Sequence, residues 1–258
     1  MGQLGNQMFQ FAAVKGIARH RGYDFMIPKH EVTLSRSGNK NGCELFLPFE
    51  PNVDNIGMFQ TENFIIETHF HFSQELFDTC QDNASLAGYF QTPKYFNHIE
   101  DEIRKDFTFK DEIKDPCESM IEILNKPIAL HIRRGDYINH AAHMYNQKLD
   151  YYKDALEYFG DDRQILIFSN DTKWCKEQEM FQESRFFMSE SGSNYSDMCL
   201  MSLCHSFIIA NSTFSWWPAF LATNEDKKVI YPKQWFSLTG YAKDYNVSDL
   251  FPEEWIKL

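Results

Sequence analysis

The second half of the chain alternates short apolar runs with segments of helical spacing, and this alternation constrains the fold more than any other feature. Five of the runs have the length and composition of buried strands: PIALHI (127–132), QILIF (164–168), RFFM (185–188), FIIA (207–210) and KKVIYP (227–232). Strands that alternate with helices of about ten residues predict a parallel sheet with right-handed crossovers. The sequence therefore predicts a Rossmann-like α/β unit here.

The segments between these runs are predicted helices. They are LDYYKDALEYF (149–159), TKWCKEQEMF (172–181), SDMCLMSLCH (196–205) and the segment that opens with NSTFSWWPAFLATN (211–224). Ser196 or Asp197 is the expected N-cap of the third, because both residue types favour that position.

The first half is less regular. A glycine-rich turn and a helix are predicted from GQLGNQMFQFAAVKGIARHRGY (2–23), and a strand from MIP (26–28). Residues 35–85 carry no pattern that can be assigned. The stretch 85–109 predicts a short strand, a turn at Pro93 and a helix.

Residues 110–126 are the expected linker between two α/β halves, since Pro116 lies within them and Pro127 follows. This divides the chain into domains at 1–118 and 119–258. This division leaves open that the extreme C-terminus packs back on the first domain.

Composition restricts the function further. A chain of 258 residues with 43% hydrophobic residues suits one large domain or two smaller ones. A net charge of −12 argues against a nucleic-acid partner, whose affinity depends on basic surface. We find no apolar run of membrane-spanning length and no signal-peptide pattern, so we expect a cytoplasmic protein, free or peripheral at the inner face of the cytoplasmic membrane.

Three polar clusters directly follow predicted strands. They are Arg133 to Asp136 in HIRRGDY, Ser169 to Asp171 in FSND, and Asn211 to Ser215. In a parallel sheet the carboxyl ends of the strands share one edge, and ligands bind there at a topological switch point. We therefore expect the three clusters to line one edge of the sheet.

The arginine pair has two interpretations. Two guanidiniums beside a glycine turn could bind a pyrophosphate, or they could be surface residues, one of them paired with Asp136. Ser212, Thr213 and Ser215 favour the first interpretation, because hydroxyls and free amides at a helix N-terminus also favour a phosphate. An ordinary N-cap would need only one hydroxyl.

Other polar residues also have structural alternatives. Asp197 could accept hydrogen bonds from a base such as guanine or simply cap a helix. His131 alternates with apolar neighbours, which is typical of a structural histidine. The four histidines His69, His71, His140 and His143 lack carboxylates at metal-ligand spacing, so we predict no metal.

Five blocks in a fixed order carry a resemblance to a known family. They are GQLGNQMFQFA (2–12), GYFQTPKYF (88–96), HIRRGDY (131–137), FSND (168–171) and DMCLMSLCHSFIIANSTFSWWPAFL (197–221). Together they resemble the bacterial α-1,2-fucosyltransferases, which are similar to glycosyltransferase family 11 and belong to a superfamily with the α-1,6- and protein O-fucosyltransferases. The resemblance implies a GT-B architecture, in which two Rossmann-like domains face each other across a cleft. It also implies GDP-β-L-fucose as donor on the second domain, inversion at the fucose carbon, and no metal or other cofactor.

The resemblance also implies roles for individual residues. Arg133 matches the arginine that grips the β-phosphate, Arg134 its neighbour that orients the loop or contacts the nucleotide, and His131 a residue near the nucleotide. Asn6 matches an asparagine at the cleft, near fucose and acceptor. Asp197 matches the carboxylate that reads guanine, and Thr213, Phe214 and Ser215 match the phosphate-side loop. From their positions after strands, Ser212, Ser169, Asn170 and Asp171 are further donor-binding candidates. Asp136 is the first candidate for the base, and it could instead orient an arginine.

The expected reaction is transfer of L-fucose to O-2 of a terminal galactose in a surface polysaccharide or blood-group-like glycan. The alternatives are another acceptor or linkage, or a catalytically silent nucleotide-sugar or glycan-binding protein. One departure from the family supports the last. The family's GNQ turn usually follows an apolar strand, whereas Gly2 here follows Met1 directly. Either the true start lies upstream or the first domain lacks that strand, which would expose a sheet edge.

Overall fold

The computed structural model of this chain describes residues 2–28, 33–34, 40–57, 61, 63–142 and 144–258, and His143 lies outside them. The chain forms two compact units, Met1–Lys110 with Tyr245–Pro252 and Asp111–Asp244 with Glu253–Leu258. A segment near the C-terminus therefore belongs with the first unit.

The first unit is built around one long helix. Its helices and strands are α1 (Leu4–Arg21), β1 (Met26–Ile27), β2 (Thr33–Leu34), β3 (Lys40–Asn41), β4 (Asn55–Ile56), β5 (Phe64–Ile66), α2 (Gln74–Thr79), β6 (Ser85–Ala87) and α3 (Glu100–Asp106), with 3₁₀ turns at Pro93–Tyr95 and Asn97–Ile99. α1 ends at Gly22, whose φ of 72° allows its N–H to bond the Ala18 carbonyl. The predicted helix within 2–23 and the strand within 26–28 are confirmed. Within 85–109, the predicted short strand is β6, the turn at Pro93 is a 3₁₀ turn, and the predicted helix is limited to α3.

The strands of the first unit form separate pairs among the described residues. β1 pairs with β4 and β5 with β6 in parallel, and β2 pairs with β3 antiparallel. The long regular strands of a Rossmann-like sheet are not present in the described part of this half. That the first unit is a second Rossmann-like domain remains a proposal.

The second unit has the predicted alternation of strands and helices. Its elements are α4 (Asp111–Ile121), β7 (Ile128–Ile132), α5 (Gly135–Asn139), α6 (Leu149–Leu156), β8 (Ile165–Ser169), α7 (Thr172–Glu177), β9 (Phe186–Met188), α8 (Asn194–Ser202), β10 (Ser206–Ile208), α9 (Thr213–Leu221), β11 (Val229–Tyr231) and β12 (Ile256–Lys257), with a 3₁₀ turn at Glu179–Phe181. The six strands form one parallel sheet in the order β12-β11-β10-β7-β8-β9. Numbered from β7, this is the 3-2-1-4-5-6 order of the doubly wound fold.

Apolar burial holds this sheet in place. Every residue of the central strand β7 is buried, and its alternate residues pack with β8 and α6 in one core. Trp216 and Trp217 of α9 are completely buried, so they belong to the core.

Three sequence expectations were wrong in detail. The expected linker contains α4, which includes Pro116 and buries Cys117, because packing within the second unit outweighs the loss of one helical hydrogen bond at proline. The N-cap of α8 is Ser193, whose Oγ accepts from the Ser196 amide, and not Ser196 or Asp197. The helix expected at 172–181 ends at Glu177, and a 3₁₀ turn follows it.

Among the described residues, we find no helix that combines the length and apolar character needed to cross a membrane.

Candidate active site

The polar clusters meet at the switch point of the six-stranded sheet. From β7 the chain runs outward to β8 and β9, and then returns to β10 on the other side of β7. The strands β10, β7 and β8 are adjacent and parallel, so the residues that follow them lie at one edge. The expectation that the three clusters share this edge is confirmed.

His131 and Ser215 link the two strands that flank the switch point. The His131 ring Nδ1 lies 2.8 Å from Ser215 Oγ, and both residues are buried. Burial, with a smaller contribution from Arg133, lowers the pKa of His131 to about 3, so the imidazole is neutral at physiological pH. The Phe214 ring packs 5.5 Å from it. The pair therefore holds β7 to the start of α9.

Arg134 is fixed to the loop after β8. Its Nε donates to Asp171 Oδ2 at 3.2 Å, and its backbone N–H donates to Asn170 Oδ1 at 2.9 Å. Its guanidinium carbon lies 3.7 Å from the centre of the Trp174 ring, in a cation–π contact. Asp171 also caps α7, and its own amide donates to Ser169 Oγ. The whole second cluster therefore immobilises Arg134.

Arg133 contacts residues of its own loop, and its guanidinium carbon lies 5.5 Å from the centre of the Tyr137 ring. Its Nη2 donates to Asp136 Oδ2 at 2.9 Å, and 18% of its side chain is exposed. Its Nε is buried and has no hydrogen-bond partner in the described part of the chain. Asn170 Nδ2 donates to the other oxygen of Asp136 at 3.2 Å. A partly exposed guanidinium at a sheet switch point is suited to an anionic ligand.

Gly135 permits the close approach of the two loops that hold Arg133. A Cβ at this position would lie 2.5 Å from Asn170 Nδ2, shorter than any normal contact. The next residue but one, Tyr137, donates its hydroxyl to the Asn211 carbonyl at 2.9 Å, and burial raises its pKa to about 12. The arginine loop is thus attached both to the loop after β8 and to the loop after β10.

Several residues of the third cluster already make hydrogen bonds that stabilise the fold. Ser212 is the N-cap of α9, and Ser215 contacts His131. The side-chain Nδ2 of Asn211 donates to the Tyr145 and Trp235 carbonyls. Thr213 and Phe214 form the first turn of α9, where helix amides favour an anion.

Asp197 lies in the first turn of α8, at the same sheet edge. Its Oδ1 accepts from the hydroxyls of Ser189 and Ser191, which follow β9. The sequence interpretation missed these two serines. The signal was present, because RFFM is followed by SESGS, a polar cluster after a strand like the three that were noticed.

Asn6 belongs to the first unit. It lies in the first turn of α1, and its Oδ1 accepts from Gln91 Nε2 at 2.9 Å. The other predicted site residues all belong to the second unit.

Among the residues that the structure describes, no group of three or more His, Cys, Asp or Glu side chains is arranged to hold a metal ion. That the reaction needs no metal stays a prediction.

A parallel sheet in doubly wound order, with arginines at its switch point, defines a doubly wound α/β protein with a candidate ligand site at that edge. The whole chain, residues 1–258, matches the model of glycosyl transferase family 11. The chain belongs to this family and is therefore a glycosyltransferase.

Relatives of known function agree with this membership. The chain is 32% identical over 249 residues to the O-antigen biosynthesis glycosyltransferase WbnK of Escherichia coli, covering 89% of this chain and 78% of the relative. It is 28% identical to an α-1,2-colitosyltransferase of Escherichia coli, covering 100% and 96%. It is 25% identical to the human galactoside α-(1,2)-fucosyltransferase 1, covering 99% and 72%.

Solved structures share the fold. The crystal structure of POFUT1 with GDP-fucose superposes with a TM-score of 0.55 at 13% identity, covering 90% of this chain and 95% of the other. The NodZ α-1,6-fucosyltransferase soaked with GDP-fucose gives 0.55 at 14% identity, covering 85% and 89%. At these identities the likeness establishes the mixed α/β fold alone.

Proposed function

We propose that this glycosyltransferase moves L-fucose from GDP-β-L-fucose to O-2 of a terminal galactose, with inversion at the fucose carbon. The acceptor we propose is a galactose-terminated surface polysaccharide or blood-group-like oligosaccharide. Support comes from the sequence blocks named above and from relatives named α-1,2-colitosyltransferase and galactoside α-(1,2)-fucosyltransferase.

The single observation that carries the proposal is the state of Arg133. It is bound within its own loop, to Asp136 and against the Tyr137 ring, at the end of the central strand and beside the switch point. Its side chain is 18% exposed, so guanidinium N–H groups can reach a ligand, and a diphosphate oxygen is a suitable acceptor. Arg134, by contrast, is fixed to Asp171 and Trp174, which follow β8. We therefore assign phosphate contact to Arg133 and positioning to Arg134.

The chemistry follows from this assignment. The acceptor O-2 attacks the fucose anomeric carbon, the bond from that carbon to the β-phosphate oxygen breaks, and GDP leaves with both bonding electrons. Negative charge grows on the departing phosphate, where the preorganised Arg133 guanidinium stabilises it. Attack from the opposite face inverts the configuration, and the acceptor proton must pass to a base.

Asp136 is a weaker candidate for that base than for orienting Arg133. Both of its oxygens already accept hydrogen bonds, one from Arg133 and one from Asn170. A base must reach the acceptor hydroxyl within hydrogen-bonding distance. We therefore propose an orienting role for Asp136 and assign the base to no residue.

We further propose that the donor binds the second unit and that the first unit, with Asn6, serves the acceptor in a GT-B arrangement. The proposal includes a cytoplasmic, metal-independent reaction. Supporting it are the resemblance and the fold shared with fucosyltransferases crystallised with GDP-fucose. Acceptor-dependent release of GDP from GDP-fucose in the presence of EDTA tests the metal independence directly.

Replacement of Arg133 by alanine is the decisive test. We expect kcat to fall at least about a hundredfold with the fold intact, because one preorganised donor to the leaving group is lost. Arg185→Ala is the matched control, since its side chain is 17% exposed and its partners are Glu183 and Asp161 at the other end of the sheet. Near-normal turnover in Arg133→Ala would remove this residue from the mechanism.

A second candidate function is transfer from a donor with a related sugar, because one relative is named a colitosyltransferase. Competition between GDP-fucose and GDP-colitose in the same assay decides between the two. Tight binding of GDP without turnover on lactose, N-acetyllactosamine or galactosyl-β1,3-hexosamine would favour another acceptor or a silent binding protein.

A further inference from the structure

The loop between β9 and α8 contains an arrangement that neither the helix nor the sheet requires. Ser193 caps α8, so Asp197 is not needed to begin that helix. Nevertheless the chain reverses through Gly192, at a φ of 85°, and brings Ser189 and Ser191 onto the Asp197 carboxylate. Both hydroxyls donate to the same oxygen, Oδ1, the Ser191 hydroxyl at 2.8 Å.

In this arrangement the two carboxylate oxygens of Asp197 have different hydrogen-bond partners. A carboxylate oxygen has two acceptor positions, so two hydroxyl donors saturate Oδ1. Oδ2 has no hydrogen-bond partner among the described residues. It is also not buried, so solvent reaches it. The carboxylate is therefore held in one orientation, with a single accepting oxygen left for a ligand.

Ser189 is itself held by the sheet. Its backbone N–H donates to the Ile167 carbonyl of β8 at 2.8 Å, which extends the strand pairing past the end of β9. Its hydroxyl is thus placed by the same sheet that positions the arginine loop. A rigid support of this kind is what a recognition residue needs, because a rotating carboxylate would accept donors from many directions.

From this geometry we infer that Ser189 and Ser191 are specificity-determining positioning residues, which orient Asp197 so that Oδ2 alone accepts the N–H edge of the donor's base. The inference rests on the proposed use of this sheet edge for a guanine nucleotide. Guanine presents two adjacent N–H donors on that edge, hypoxanthine only the ring N–H, and adenine an acceptor at the same ring position. Loss of either serine should therefore reduce discrimination between bases and leave the phosphate contacts unchanged.

The test is a titration of the full chain with GDP, IDP and ADP for the wild type and for Ser189→Ala, Ser191→Ala and Asp197→Asn. We expect Asp197→Asn to lower the preference for GDP over ADP at least about tenfold, as loss of a charged acceptor does. Each serine variant should lower it about three- to tenfold, with the affinity for ADP unchanged. Ser189→Thr and Ser191→Thr keep the hydroxyl and should restore the wild-type preference.

Ser196→Ala is the matched control, because its hydroxyl lies one residue from Asp197 but contacts Ser193 instead. It should leave the preference unchanged. Unaltered selectivity in Asp197→Asn would overturn the guanine assignment itself. A loss of selectivity in Asp197→Asn but in neither serine variant would overturn only the positioning role. Equal weakening of GDP and ADP in the serine variants would show that the serines merely stabilise the loop, and would also overturn it.

Discussion

The two units differ in what their buried polar side chains bond. In the second unit, hydrogen bonds join side chains of neighbouring loops at one sheet edge, as between Arg134 and Asp171. In the first unit, the buried Lys15 Nζ pairs with Asp106 and so ties α1 to α3. One continuous parallel sheet brings successive loops to a shared edge, whereas separate strand pairs leave distant segments to be joined by side chains.

The first unit shows this dependence in a second contact. The Glu67 carboxylate accepts from the amides of Tyr89 at 2.7 Å and Phe90 at 2.9 Å, and so fixes the loop that carries Gln91. Gln91 in turn donates to Asn6. Burial raises the pKa of Glu67, because removing the carboxylate from water disfavours its charged form. These polar contacts therefore support the backbone of the loop.

The largest effect should follow removal of the buried cation of the first unit. Lys15 is 1% exposed, and its Nζ lies 2.6 Å from Asp106 Oδ2. Lys15→Met leaves Asp106 buried without its cation, and we expect a loss of about 3 to 5 kcal/mol in the free energy of unfolding. Chemical denaturation measures it. Lys114→Met, which breaks an exposed pair with Glu118, should change stability by less than about 1 kcal/mol. Equal effects would remove the contrast between the two kinds of polar contact.

A smaller effect should follow a methyl group at Gly16. A Cβ there would lie 2.0 Å from the Tyr95 carbonyl oxygen, which is backbone and cannot move aside as a side chain can. We expect Gly16→Ala to cost about 2 to 3 kcal/mol in spite of the better helix propensity of alanine. Thermal unfolding is the measurement, and Gly57→Ala is the control, because the nearest atom to its Cβ among the described residues would be Met26 Sδ at 3.5 Å. A stabilised Gly16→Ala protein would contradict the close approach of α1 to the 93–95 turn.

The smallest effect for each step of the measurement concerns the second unit and is spread over several pH units. Since the folded pKa of His131 is lowered to about 3 from 6.5, the unfolded chain binds a proton first as the pH falls. The stability contributed by neutral His131 is complete above about pH 6.5 and is lost toward pH 3, at no more than about 1.4 kcal/mol per pH unit. The wild type should therefore lose stability more steeply than His131→Asn between about pH 6 and pH 4. Parallel curves would show that His131 titrates normally.

The regular half of the fold was predictable, and the reason is periodicity. Each apolar run of the second unit is a strand of the parallel sheet, and the polar clusters lie at its carboxyl edge as expected. The helix α4 was not predictable, because Pro116 indicates a break unless packing elsewhere outweighs it. Asp197 was misplaced as an N-cap for a similar reason. Three residues suited to capping stand close together at Ser193, Ser196 and Asp197, and local preference does not choose among them.

By itself, the sequence determined which residues stand at the edge of the sheet, because alternating strands and helices force every parallel strand to end on the same side. The tertiary structure alone decided how the two adjacent arginines differ. Arg134 contacts Asp171 and Trp174, which follow β8, whereas Arg133 contacts Asp136 and Tyr137 of its own loop. That difference depends on contacts with residues from another loop, which no local pattern around HIRRGDY contains.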